Sequence, residues 1–332
     1  MLTWNYKIWE SLRGQVDRLP HAVLIQGPAG VGKLALAEQL ATRLLCEAPT
    51  TEGEACGRCD GCRWVASGNH PDLRRIEPDA HAVQRYDAQD NAPRTERGTR
   101  AAKPSLEIKI DQIRELADFL YLGSHRGRRR VAIVHPAEAM NVHAANALLK
   151  GLEEPPPGAL FLLVSHRPAR LLPTIRSRCV VVAVPRPPEQ AALDWLVAQG
   201  KSTDAARWLA FAGGSPRAAY DYSAGEQGAL TTPFLAAIAR GETDSIPEAS
   251  NRETLEAMAE VLQKHAIDRV TDSLAGRRIY GTEAPAGKGS ASALEWTRFA
   301  RSMGSARALA SHPVNPRLFS AELLSMFNKL IN

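Results

Sequence analysis

Apolar positions recur along this chain with two different periods, and the change from one to the other comes near residue 185. Before it, short apolar runs alternate with helix-period segments. Ala22-Val23-Leu24-Ile25, Val131-Ala132-Ile133-Val134, Leu160-Phe161-Leu162-Leu163-Val164 and Val180-Val181-Val182 read as short buried strands, with Leu73-Arg74-Arg75-Ile76 a further candidate. Between them, helical spacing appears at Ile8, Leu12, Val16 and Leu19, from Gly32 to Cys46, from Ile108 to Leu120, and through Ala144, Ala145, Leu148, Leu149 and Leu152. The last of these is stopped by Pro155-Pro156-Pro157, which cannot donate backbone hydrogen bonds. Strands alternating with helices predict a parallel sheet covered by helices. Trp4 and Trp9, so early in the chain, suggest packing onto a neighbouring domain.

Pro185-Arg186-Pro187-Pro188 reads as a linker, and everything beyond it is helical in period. Segments 190–198, 204–212, 234–239, 255–274, 291–310 and 317–331 are predicted helices. A short one is opened by Ser215 as N-cap and Pro216 at the first helical position. Residues 78–104 carry few apolar side chains and many charges of both signs, and are expected to form a flexible surface insertion.

Two stretches carry chemistry. In Gln26-Gly27-Pro28-Ala29-Gly30-Val31-Gly32-Lys33-Leu34 a strand runs into a glycine loop and then a helix, the context of a phosphate-binding loop. Gly27, Gly30 and Gly32 let backbone N–H groups turn toward an anion, and Lys33 supplies a point charge. The template's next residue is a Ser or Thr whose hydroxyl ligates Mg²⁺; Leu34 cannot do this. A phosphoryl-transfer site also needs a carboxylate where the strand 131–134 ends. His135 and Pro136 stand there, and Glu138 lies further round the turn, so hydrolysis is not expected. The second stretch is Cys46 with Cys56-Gly57-Arg58-Cys59-Asp60-Gly61-Cys62. Two overlapping Cys-x-x-Cys turns share Cys59, and Cys46 ends the preceding helix. Four thiolates suit a closed, tetrahedral structural zinc; an iron–sulfur cluster and a redox pair are the rival readings.

Bulk composition narrows the class. A chain of 332 residues with 44% hydrophobic content can build two or three cores. No apolar run approaches the roughly 18 residues of a membrane span, and a cytoplasmic location is expected. Clustering of four of its 5 cysteines fits a metal site in a reducing compartment. A net charge of +5 permits contact with nucleic acid without demanding it, and the Arg126, Arg128, Arg129, Arg130 cluster is read as a solvated face.

Taken together, the four-cysteine insertion, His70-Pro71-Asp72, Asn146-Ala147-Leu148-Leu149-Lys150 running to Glu153-Glu154-Pro155-Pro156, and Ser177-Arg178-Cys179 resemble the AAA+ clamp-loader family of bacterial DNA polymerase III over about residues 20–220. The resemblance implies an α/β plus all-α protein. Residues 1–185 would form an AAA+ P-loop domain with a zinc-binding insertion at 46–62, residues 186–226 a small helical lid, and residues 227–332 a helical collar that oligomerises. It also implies a place in a pentameric ring with motor (gamma/tau) and delta subunits, which loads a sliding clamp onto primer-template DNA as part of the polymerase holoenzyme. In that ring the departures at Leu34, His135 and Pro136 match a non-hydrolysing stator. Its Arg178 would serve as an arginine finger in the neighbouring ATP site, where a planar, permanently charged fork suits a γ-phosphate. Arg217 falls where ATPase members keep a sensor arginine, so ATP or ADP binding in the degenerate loop stays open. Ser165, at a strand end where motors carry a sensing Thr or Asn, is read as packing. The alternatives are an active AAA+ ATPase, and a zinc-dependent nucleic-acid-binding protein relying on Arg58, Arg63 and Trp64.

Overall fold

The computed structural model describes residues 2–80, 105–122, 129–201, 203–240, 246, 248–283, 291–310 and 314–331. The insertion expected at 78–104 lies, from 81 onward, outside the described residues, as do Arg126 and Arg128. The chain divides into two compact units, Met1–Arg186 and Pro187–Asn332.

The first unit is built on five parallel strands, β1 (Ala22–Gln26), β2 (Leu73–Ile76), β3 (Arg130–Val134), β4 (Ala159–Ser165) and β5 (Val180–Ala183), in the order β2-β3-β4-β1-β5. β4 lies at the centre and is buried along its whole length. Successive side chains of a strand point to opposite faces, so Val23 and Ile25 enter one core while Ala22 and Leu24 enter the other. The first core is completed by α1 (Tyr6–Gly14), α2 (Lys33–Leu45) and α3 (Asp60–Ala66). The second is completed by α4 (Ile110–Tyr121), α5 (Val142–Glu153) and Ile175 of the short α6 (Pro173–Ser177).

Four sequence expectations for this unit need correction. The opening helix ends at Gly14, and Val16–Arg18 continue only as a 3₁₀ turn. Trp4 and Trp9 serve their own unit: Trp9 is wholly buried and its indole N–H donates to Glu54 Oε1 at 2.7 Å. Trp4 Nε1 donates to the carbonyl of Val31 at 3.1 Å. Arg130 is not on a solvated face. It is 4% exposed, its guanidinium lies over the Phe119 ring and its Nε is 3.6 Å from the buried carboxylate of Asp72. Finally, β5 is apolar but half-exposed, because it is the edge of the sheet.

The second unit is all helix among its described residues: α7 (Glu189–Ala198), α8 (Ala205–Phe211), α9 (Pro216–Ala224), α10 (Glu226–Arg240), α11 (Arg252–Ala275), α12 (Ala293–Leu309) and α13 (Pro316–Ile331). α10 begins eight residues before the expected 234, carrying Pro233 inside it. Trp296 meets His265, Phe299 and Phe327 edge-on, and His265 meets Phe327 in the same way. Burial pushes the His265 imidazole down to about 3, with Arg269 and Arg278 adding to the effect, so it is neutral in this core. No described helix is long and apolar enough to cross a membrane.

Truncating one member of the buried pair that ties β2 to β3 strands a charge in the core. Asp72→Ala should therefore cost about 3–5 kcal/mol. Glu256→Ala, in the partly exposed i,i+4 pair with Arg252, should cost less than about 1 kcal/mol. Urea unfolding of both variants checks the contrast, and equal losses would contradict it.

Candidate functional site

The first site forms where β1, β4 and β3 end side by side. Gly27 follows β1, and its N–H donates to Ser165 O at the end of β4 at 3.3 Å. A Cβ on Gly27 would lie 2.1 Å from the carbonyl oxygen of Val184, so the chain passes too close here for any side chain. Gly30 and Gly32 take φ of 73° and 89°, the left-handed region glycine adopts without penalty, and Gly32 is the N-cap of α2. Trp4 and Asn5 both donate to Val31 O, at 3.1 and 3.0 Å, and fix the loop from outside.

Lys33 opens α2 with only 2% of its surface exposed. Its ammonium donates to Gly27 O at 2.7 Å and to Pro28 O. Burial lowers its pKa to about 8, and the Glu138 carboxylate opposes that shift. Leu34 packs against the sheet's first core and offers no oxygen. At the end of β3, His135 Nε2 lies 3.2 Å from His166 Nε2 at the end of β4, with the rings nearly perpendicular. The Glu138 carboxylate lies near enough to Lys33 to favour its charged form. Its Oε1 is taken up by the backbone N–H groups of His166 and Arg167, at 2.9 and 3.0 Å. Ser165 is completely buried, consistent with packing.

The second site lies at the other end of α2. Cys46 is the C-cap of that helix and is wholly buried. Cys59 caps α3, accepting from Cys62 N, so the third and fourth cysteines sit on a helical turn that the sequence pattern did not disclose. Gly61 is required there, since a Cβ would meet Leu45 O at 2.5 Å. The sulfurs of Cys46, Cys56, Cys59 and Cys62 all lie within 4.8 Å of one another. Cys56 and Cys62 are 4.0 Å apart and Cys46 and Cys59 3.9 Å. A tetrahedron of sulfurs around one ion at a bond length of about 2.3 Å has edges of about 3.8 Å. The donor set therefore fits one four-coordinate metal ion. Backbone N–H groups of Cys56, Glu47, Cys59 and Cys62 already point at the sulfurs of Cys46, Cys59, Cys56 and Cys59, at 3.2–3.4 Å. Backbone N–H groups of Arg58 and Cys59 hold the Cys56 thiol down at about 6, whereas burial pushes Cys62 up.

Arg178 lies apart from both, as the C-cap of α6, with about a third of its side chain exposed. Arg217 is exposed on α9 of the second unit, where its charge acts on Asp221.

A family model described as DNA polymerase III, delta subunit, matches residues 5–188. The chain belongs to that family. It is 44% identical over 216 residues to DNA polymerase III subunit delta' of Pseudomonas aeruginosa, covering 64% of this chain and 58% of that protein. It is 37% identical over 165 residues to DNA polymerase III subunit tau of Escherichia coli, covering 50% of this chain and 22% of tau. A solved gamma subunit-related protein of Thermotoga maritima aligns over 97% of this chain and 99% of its own, with TM-score 0.47 and 16% identity. The chain spans about half the length of the curated delta' relatives it matches. The match to the family model covers nearly the whole first unit and little of the second.

Besides the α3 turn, three long-range contacts at these sites were not read from the sequence: those of His135 with His166, of Glu138 with His166 and Arg167, and of Trp4 and Asn5 with Val31. Each joins residues at least 26 positions apart, and none forms a local motif.

One metal ion per chain is expected in protein purified under reducing conditions, by elemental analysis. Cys62→Ser should release it and lower the unfolding midpoint, because thiolate binding is coupled to folding. Acidification should release it too, since protons compete for the same sulfurs. A metal-free native protein of unchanged stability would refute the site.

Proposed function

We propose that this chain is a delta-prime-type stator of a clamp loader. It would load a sliding clamp onto primed DNA in a ring with motor (gamma/tau) and delta subunits, as a cytoplasmic component of the polymerase holoenzyme. The observation that carries the reading is the exchange of chemistry beside Lys33. Where a hydrolysing site holds Mg²⁺ through a hydroxyl and a strand-end carboxylate, this chain has Leu34 and His135-Pro136. Glu138, whose carboxylate acts on Lys33, spends an oxygen on two backbone N–H groups. The cradle of Gly27, Gly30, Gly32 and Lys33 can still receive a phosphate chain, with Arg217 of the lid as a further candidate contact. Division of the helical unit into a lid (186–226) and a collar (227–332) belongs to the same proposal. Zn²⁺ is the ion the four-cysteine site would hold, because a closed thiolate tetrahedron leaves no position for chemistry and stiffens the end of α2.

Arg178 is the group assigned to act, as a finger in the adjacent subunit's ATP site. Its exposure leaves it reachable, and its guanidinium is charged at every physiological pH.

The isolated chain should show no ATP turnover above background. Weak nucleotide binding, if measured calorimetrically, should be lost in Lys33→Ala. It should also weaken as pH rises through about 8, because above that pH the buried lysine is neutral in the free site and must be recharged by the ligand. In the assembled ring, Arg178→Ala should lower DNA-stimulated ATP hydrolysis by about tenfold or more while assembly persists. Arginine fingers in GTPases contribute about 10³–10⁵, and one site among several shows less. Turnover by the isolated wild-type chain, abolished by Lys33→Ala, would establish a motor instead.

A further inference from the structure

We propose that Glu153 is a positioning residue for the Arg178 guanidinium; this rests on the assignment of Arg178 as the finger acting in trans. Arg178 Nη2 lies 2.7 Å from Glu153 Oε1, and Arg178 Nη1 donates to Thr174 O at 3.0 Å. Two elements therefore hold one fork: α5 supplies the carboxylate from its last residue, and α6 supplies a carbonyl from its first turn. Both supports are themselves fixed. Leu152 beside Glu153 is in the core, and its carbonyl meets His21 Nε2 at 3.0 Å. Ile175 beside Thr174 is completely buried.

Stability does not explain the pair. About 35% of the Arg178 side chain and 49% of the Glu153 side chain remain exposed, and ion pairs so hydrated add little to folding. Orientation does explain it. A free arginine samples many rotamers, whereas one held at Nη1 and Nη2 presents its remaining N–H donors in a fixed direction. Preordering of this kind acts on the rate of the neighbour's reaction rather than on its affinity for ATP. Glu153 touches no substrate and acts only through Arg178.

The test is steady-state ATP turnover by the assembled complex, with DNA and clamp, across ATP concentrations. It compares wild type, Glu153→Ala, Glu153→Gln, Arg178→Ala and the double variant Glu153→Ala/Arg178→Ala. Glu153→Ala should lower kcat about three- to tenfold with KM unchanged. Glu153→Gln, whose amide oxygen still accepts a hydrogen bond, should recover most of the loss. The double variant should be no slower than Arg178→Ala alone, since removing the finger leaves nothing to position. The melting temperature of Glu153→Ala should equal that of wild type. The proposal is overturned if Glu153→Ala keeps wild-type kcat while Arg178→Ala is impaired. It is equally overturned if the two losses multiply in the double variant, or if Glu153→Ala lowers the melting temperature in step with activity. Wild-type turnover by Arg178→Ala would instead overturn the finger assignment on which the proposal rests.

Discussion

Burial of one helix against the central strands governs both sites. α2 places Leu36, Ala37, Leu40, Ala41, Leu44 and Leu45 in the first core, against Val23 and Ile25 of β1 and Leu162 and Val164 of β4. Over 13 residues at about 1.5 Å each it spans about 20 Å. Its N-terminus is the lysine of the glycine loop and its C-cap is the first cysteine. Neither end can shift without dragging that apolar stripe across the sheet, so the glycine loop and the cysteine cluster are held at fixed separation by the same packing.

The glycine loop keeps positive φ at Gly27, Gly30 and Gly32, and Lys33 is tied to the loop's own carbonyls. Beside it no side-chain hydroxyl stands at Leu34 and no carboxylate at His135-Pro136. An imidazole pair and a carboxylate capped by backbone N–H groups stand there. On the proposed reading such a site receives an anion without the means to neutralise and orient a transferring phosphoryl group. In the proposed function the acting group lies elsewhere, at Arg178, the C-cap of α6.

The His70-Pro71-Asp72 turn shows how the cysteine module is joined to the sheet. The His70 ring is buried against Trp64 of α3, and its Nδ1 accepts from the backbone of Asp72. Asp72 then pairs with Arg130 at the start of β3. One short segment thus carries a line of contacts from the cysteine module to the start of β3.

The sequence by itself determined the strand-and-helix alternation, the glycine loop with its missing hydroxyl, and the four sulfurs. Each is expressed within a few consecutive residues, where period, glycine placement and ligand spacing act directly on local geometry. Tertiary structure decided the rest. A run of valines reads the same in a central strand and at an edge, so only the order β2-β3-β4-β1-β5 made β5 half-exposed and β4 fully buried. An arginine after three others reads as surface until a carboxylate 58 positions earlier is brought beside it. Nor could α3 be seen in a stretch whose glycine disfavours helix, because that glycine is demanded by the backbone of Leu45. The contacts of Glu138 with His166, and of Glu153 with Arg178, arise where separate elements end together, and parallel pairing fixes those ends only once the whole sheet has formed.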